Sequence, residues 1–152
     1  MSASAAREAK ARTARRAALA IVGCALLAPI TAFAQDPRAA TVQNVAREWL
    51  KLADTLDAAV SWKAAGEGFR KAIPIARWTE VLKRERERRG PVVQRAVAAT
   101  SFRSSLPGLP EGGNYALVQF RTSFANVPAA VELVTLEVGT DYVWRVAGYV
   151  TQ

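Results

Sequence analysis

The spacing of apolar residues changes at Gly90-Pro91, and this change limits the chain to a small set of folds. Before this point, apolar side chains recur every three or four residues, as they do along one face of a helix. After it, apolar and polar residues alternate, as they do along a strand with one covered face. Helices followed by strands with hairpin-length connections predict an α+β domain, with the helices packed on one face of a four-stranded antiparallel sheet.

Three helices are predicted before this point. The first covers residues 41–56, where the apolar residues lie on one face. Asp57 is a suitable N-cap for a shorter second helix, which the turn Gly66-Glu67-Gly68 ends, so that Phe69 falls in a connection. The third helix begins near Pro74, and its charged run "KRERERR" predicts a solvated face with ion pairs four residues apart.

Four strands are predicted in the second half, at 92–102, 115–124, 130–138 and 142–150. The chain ends in the apolar run "DYVWRVAGYVTQ", although chain ends fray unless something holds them. We therefore expect the last strand to pair within the sheet, with Val146, Tyr149 and Val150 anchored there. The four tryptophans, Trp49, Trp62, Trp78 and Trp144, are predicted to lie in the core; the alternative is that some line a pocket between helices and sheet.

The first 34 residues have the pattern of a secretory signal peptide. A basic stretch precedes the apolar run "AALAIVGCALLAPITAFA", which is too short to span a bilayer comfortably. The small residues before Gln35 predict cleavage after Ala34, which would leave residues 35–152 as a single domain in the periplasm or medium. The alternatives are an uncleaved membrane anchor and a lipoprotein acylated at Cys24, where Ile21-Val22-Gly23-Cys24 matches a lipobox.

The residue types present exclude several chemistries from residues 35–152. The chain has no histidine, and its one cysteine is Cys24, so His- or Cys-based nucleophilic catalysis and metal binding are excluded there, and we predict no catalytic residue, metal or cofactor. The chain is basic, with a net charge of +8, but glutamates interrupt its basic run. A nucleic-acid partner is therefore not expected.

Most of the predicted mature chain resembles a known family. The resemblance covers residues 45–150 and is carried by Trp62, Phe69, Trp78, Arg95, Pro107-Gly108, Tyr115, Phe120, Phe124-Ala125, Glu132 and the run from Trp144 to Tyr149. This pattern is similar to the bacterial domain of unknown function 4019, although "GTDYVW" replaces the glycine-rich turn expected before the tryptophan. The resemblance implies an exported or membrane-associated protein, and the order of elements is similar to the nuclear transport factor 2-like cone. It implies no activity.

These observations favour an exported, non-enzymatic domain that binds a small ligand or an envelope protein. The alternatives are a carboxylate-dependent enzyme with a cone-shaped pocket and a purely structural accessory protein; the oligomeric state stays open. Membrane contact is expected only through the signal peptide. If the cone has a mouth, the polar groups expected there are Tyr115, Arg121, Glu132 and Arg145, where arginines suit an anionic or carbonyl-bearing ligand. Glu132 is expected to form a cross-strand ion pair with Arg121 or Arg145 rather than to act as a base.

Overall fold

The computed structural model describes residues 36–152, and in this range four helices precede four strands. The predicted signal peptide and its cleavage site lie outside the described residues. The helices are α1 (Arg38–Asp54), α2 (Ala58–Ala64), α3 (Glu67–Ala72) and α4 (Ile75–Arg89). The strands are β1 (Val92–Arg103), β2 (Tyr115–Phe124), β3 (Ala130–Val138) and β4 (Trp144–Thr151). This arrangement confirms the α+β prediction.

The helix containing Phe69 was not predicted. Gly66 is extended and serves as the N-cap of α3, and its N–H donates to the carbonyl of Val146 on the free edge of β4, at 2.8 Å. The predicted turn is therefore the start of a helix, and Phe69 points into the core with 1% of its surface exposed. Residues 36–152 therefore contain four helices where three were predicted, and the short helix α3 packs one apolar ring against the sheet.

The other helix boundaries follow local chemistry. α1 begins at Arg38, whose N–H donates to the Asp36 carboxylate at 2.9 Å, and it ends before Leu56, whose positive φ of 63° stops the helix. The predicted cap is confirmed, since Asp57 accepts the Val60 N–H at 3.1 Å. The predicted ends of α4 are also confirmed, because Pro74 directly precedes its first residue and Gly90, with φ of 74°, ends it.

The sheet is a simple antiparallel meander in the order β1-β2-β3-β4. The predicted limits of β2 and β3 are confirmed, whereas β4 begins at Trp144 rather than at Tyr142. Tyr142 has a positive φ of 59° and is 88% exposed, so it belongs to the turn. The C-terminus is paired as expected, since Gln152 exchanges both backbone hydrogen bonds with Val131.

The helices cover one face of the sheet, and the space between the two layers is filled. Trp49 contacts Phe69, Trp78 and Tyr149 with ring centroids 5.4–5.9 Å apart. Trp49 and Trp78 are buried as predicted; Trp62 and Trp144 are only partly buried. The core contact expected in β4 is confirmed at Val146 and wrong at Val150, which pairs with Leu133 in the sheet but is 52% exposed on the opposite face. The residues of this core are Val42, Ala46, Trp49, Leu50, Ala53, Ala58, Ala65, Phe69, Trp78, Leu82, Ala116, Val118, Phe120, Val134, Leu136 and Val146.

Candidate functional site

A carboxylate lies fully buried between the helices and the sheet. Glu132, on the helix-facing side of β3, has no exposed surface. Arg95, on the same face of the sheet in β1, donates to both of its oxygens, from Nε at 2.6 Å and from Nη2 at 3.2 Å. Thr122 Oγ1 donates to Oε2 at 2.5 Å and the Tyr149 hydroxyl donates to Oε1 at 2.6 Å. The partner predicted for Glu132 was Arg121 or Arg145; both project from the other face of the sheet.

The charge of Glu132 is balanced within a four-residue cluster. Arg95 also pairs with Asp54 at the end of α1, at 2.7 Å, and Arg86 of α4 lies 2.9 Å from the same carboxylate and 3.6 Å from Glu132. The Arg86 guanidinium lies over the ring of Phe124, 5.4 Å from its centroid. Two carboxylates and two guanidiniums make this cluster, Asp54–Arg86–Arg95–Glu132, neutral overall. It joins helices and sheet.

The cluster keeps Glu132 ionised. Burial alone would raise the pKa of this carboxyl, but the hydrogen bond and charge of Arg95, with the hydroxyls of Thr122 and Tyr149, bring the pKa below its usual value. Burial and the nearby Glu132 charge raise the pKa of Tyr149 to about 12, so its hydroxyl stays protonated. With four donors and no exposed surface, Glu132 is not available to exchange a proton with a substrate.

The four predicted site residues do not meet in one mouth. Tyr115 is buried under the 104–114 loop, where its hydroxyl donates to the Pro110 carbonyl at 2.7 Å. Arg121 is exposed on the outer face of the sheet, beside a cavity of about 470 Å³. Arg145 lines a separate cavity of about 800 Å³ and is paired with Asp141 at 2.7 Å. Since Glu132 lies on the helix-facing side, these residues form no common site.

A different group of residues forms a groove between α4 and the edge strand β4. The groove has a volume of about 610 Å³, within the range of small-molecule sites. Trp78 and Tyr149 contribute aromatic surface, and Ala72, Ile73 and Val81 extend the apolar wall. Three guanidiniums and one carboxylate line it, so positive charge is in excess. We call this site the arginine groove: Arg77, Trp78, Glu85, Arg88, Arg89 and Tyr149.

The arginines of the groove differ in how firmly they are held. Arg77 and Arg88 are about 60% exposed and pair with Glu80 and Glu85 at 3.3 and 3.2 Å, and such surface pairs are weak. Arg89 is 2% exposed and fixed by Glu85 and by the Thr151 carbonyl. Its Nε has no hydrogen-bond partner among residues 36–152. One cation is thus rigid and under-satisfied, while two others are free to turn toward a ligand.

The helical spacing of the sequence indicates that two arginines of α4 are buried, although the dense charge of the same segment suggests a solvated face. Trp78, Leu82, Arg86 and Arg89 are spaced four, four and three apart, so they share the buried stripe of α4. The run "KRERERR" was predicted to be a solvated face, which is wrong for Arg86 and Arg89. Because the apolar residues Trp78 and Leu82 begin this stripe, the two arginines that follow on the same helix face are expected to be buried as well.

Between residues 36 and 152, no three acidic side chains come together as metal ligands would. Within the same range, none of the helices combines the length and hydrophobicity that crossing a bilayer requires.

Comparisons with known proteins give one result. No match was found among curated proteins or among solved structures, so the likeness to the nuclear transport factor 2-like cone stays a prediction. One family model matches, described as a protein of unknown function, DUF4019, and it covers residues 45–149. The match contains α2 to α4, the cluster arginines and most of the sheet, and it confirms the resemblance drawn from the sequence. The chain therefore belongs to the DUF4019 family.

Proposed function

We propose that this domain is exported and binds a small anionic ligand, a carboxylate or a phosphate, in the arginine groove, without catalysing a reaction. The observation that carries the proposal is Arg89, a buried guanidinium with an unpartnered Nε in a groove that already has an excess of positive charge. A buried donor without an acceptor is costly, and an anion close to it lowers that cost.

The ligand should combine its anionic group with an apolar or aromatic body. The groove offers the partly buried ring of Tyr149 and, at Trp78, only the 2% of the residue that is exposed, while the polar atoms of both rings are already used. Trp78 Nε1 donates to Ser61 Oγ at 3.0 Å, and the Tyr149 hydroxyl accepts from Arg86 at 3.1 Å. Binding along these rings is therefore apolar contact, and the arginines supply the polar contacts.

Fewer observations support the competing functions. A carboxylate-dependent enzyme needs an accessible acid or base, and Glu132 is enclosed and saturated by its four donors. A purely structural accessory protein leaves the excess of arginines around the groove without a role. We place the ligand in the arginine groove rather than at Tyr115, Arg121 and Arg145, because these residues are dispersed over the sheet.

We predict that Arg88→Ala weakens the binding of an aromatic anion by about tenfold, because one charge-assisted contact is lost. The measurement is isothermal titration calorimetry with phenyl phosphate and benzoate. Arg84→Ala is the matched control: Arg84 lies outside the groove lining, is about as exposed as Arg88, and also contacts Glu85. Equal losses in both variants, or no binding of either anion to the parent protein, would contradict the proposal.

Export is tested at the N-terminus of the mature protein. The small-residue site before Gln35 predicts that Edman or mass-spectrometric sequencing of the exported product begins at Gln35. A product that starts at an acylated Cys24 would instead support a lipoprotein. An intact Met1 in the membrane fraction would support an uncleaved anchor, and either result would remove the soluble periplasmic or secreted location from the proposal.

A further inference from the structure

Glu85 is the carboxylate that lines the arginine groove, and three guanidiniums already contact it. Its Oε2 atom accepts from Arg89 Nη1 and from Arg88 Nη2, the latter at 3.2 Å. Its Oε1 atom accepts from Arg84 Nε at 3.4 Å. Arg88 and Arg89 therefore meet at a single oxygen. This marks a position in the groove where an oxyanion is bound, and a side chain of the protein itself fills it.

This position differs from an ordinary ion pair on a helix surface. Pairs three and four residues apart along an exposed helix are solvated and weak. Here the Arg89 side chain is 3% exposed and that of Glu85 is 28% exposed. Arg89 is also held independently of Glu85, since its Nη2 donates to the Thr151 carbonyl of β4 at 3.3 Å. An anion that takes the place of Glu85 therefore meets a guanidinium that is already in position.

We propose that the ligand of the arginine groove carries a phosphate dianion, and that this group displaces the Glu85 carboxylate from Arg88 and Arg89. The inference rests on the anion binding proposed for the same groove. A ligand carboxylate offers the guanidiniums the same two oxygens and the same single charge as Glu85, which is tethered beside them at a high effective concentration. A phosphate monoester has nearly two charges at pH 7 and three acceptor oxygens, so Arg88 and Arg89 each bind an oxygen of their own.

The charge of the groove suits a dianion. Three lining guanidiniums and one carboxylate leave an excess of two positive charges. Their pairing partners outside the lining, Glu80 and Arg84, add one charge of each sign and leave this excess unchanged. The carboxyl end of α4 subtracts about half a charge, and the chain terminus at Gln152 accepts the Val131 N–H of β3 at 3.0 Å. A dianion in the place of Glu85 therefore offsets more of the positive charge than a monovalent ligand does.

The groups that face the groove keep their charge between pH 5.5 and pH 7. The chain contains no histidine. The hydrogen bond of Arg89 holds the pKa of Glu85 below its usual value, and burial raises the pKa of Tyr149 to about 12. The arginines and the terminal carboxyl of Gln152 titrate outside this range. A change in affinity between these two pH values therefore reports the ionisation of the ligand.

The first test is calorimetry at both pH values, on protein produced from the full-length sequence. Phenyl phosphate, with a second pKa of about 6, should bind about fourfold more weakly at pH 5.5 than at pH 7, because fewer of its molecules are dianions. Benzoate should bind equally at both values and more weakly than phenyl phosphate at pH 7. Equal binding of phenyl phosphate at both values, or tighter binding of benzoate at pH 7, overturns the dianion.

Glu85→Gln provides the second test, because it keeps the size of the side chain and removes the competing charge. It should bind phenyl phosphate about tenfold more tightly than the parent, since a neutral amide holds the two arginines less strongly than a carboxylate does. Glu87→Gln is the matched control: it removes the same charge from an exposed residue of α4, which pairs with Lys83 at 3.8 Å and lies outside the groove lining. Its affinity should stay within about twofold of the parent value.

The outcomes distinguish this inference from the anion binding on which it rests. If the parent binds phenyl phosphate and Glu85→Gln binds it equally or more weakly, the displacement of Glu85 is wrong while anion binding stands. If only Glu85→Gln binds it, the displacement is supported and the proposed function of the parent fails. Binding by neither protein overturns both. Should Glu85→Gln not fold, Glu85→Asp replaces it, because its shorter carboxylate reaches Arg88 and Arg89 less closely; an affinity no higher than that of the parent then overturns the inference.

Discussion

Glu132→Gln should destabilise the domain by about 3–5 kcal/mol, because it removes one charge from a buried, balanced cluster. The glutamine has nearly the same shape, so the loss comes from charge rather than from packing. Arg86 and Arg95 then share only Asp54, and the cluster is left with a net positive charge in a region with little access to water.

Urea unfolding followed by tryptophan fluorescence gives this free energy. Glu80→Gln provides the matched control, because Glu80 is an exposed glutamate paired with Arg77 at 3.3 Å. We expect it to change stability by less than about 0.5 kcal/mol. Similar losses for the two substitutions would mean that the buried cluster contributes no more to the free energy of unfolding than an exposed ion pair does.

A second variant separates charge balance from hydrogen bonding. Arg95→Met alone leaves Glu132 short of its main donor, whereas Arg95→Met with Glu132→Gln leaves Asp54 and Arg86 as a neutral pair. The double variant should therefore be more stable than the sum of the single losses predicts, by about 1–3 kcal/mol. Additive losses would show that the two charges do not act on each other.

Glu132→Gln should also change how the free energy of unfolding depends on pH. Because the folded pKa of Glu132 lies below the unfolded value of 4.5, its contribution is fully present above pH 4.5. It is lost as the pH falls from there through the folded pKa. The free energy of unfolding of Glu132→Gln should consequently fall less steeply below pH 4.5 than that of the parent.

The sequence allowed the layers and the sheet to be predicted because both depend on local patterns. Strict alternation in β2 and β3 marked their limits, and Gly90 marked the end of α4. The helix around Phe69 was missed because six residues with glycines at both sides of Glu67 look like a turn, and contacts with other segments, the bond of Gly66 to β4 and the burial of Phe69, stabilise them as a helix. Such contacts between distant segments leave no periodic signal.

The candidate site was less accessible to prediction for a related reason. Arginines were considered as ligand-binding groups, and Arg121 and Arg145 were chosen for their positions in the strands without regard to the face they occupy. Alternation places both on the outer side, away from Glu132. The buried positions of Arg86 and Arg89 follow from the helical spacing after Trp78 and Leu82, a pattern that dense charge in the same run obscured.

Trp78→Ala should cost about 3–5 kcal/mol, because it leaves a large cavity in the centre of the filled helix–sheet interface. Trp78 is 2% exposed, and its ring lies 5.3 Å from that of Phe69 and 5.7 Å from that of Trp49. Its indole N–H donates to Ser61, which is fully buried, so the alanine also leaves a hydroxyl with one partner fewer.

Trp144→Ala provides the comparison that distinguishes core from periphery. From the sequence both tryptophans were expected in the core, where truncation of Trp144 would also cost about 3–5 kcal/mol. Trp144 is only partly buried and meets Phe102 at 6.2 Å, so we now expect about half that loss, in proportion to the apolar area removed from water. Chemical denaturation of both variants measures the difference. Equal losses would mean that the interface around Trp78 is less completely filled than its ring contacts indicate. A ligand in the arginine groove could then reach between the helices and the sheet.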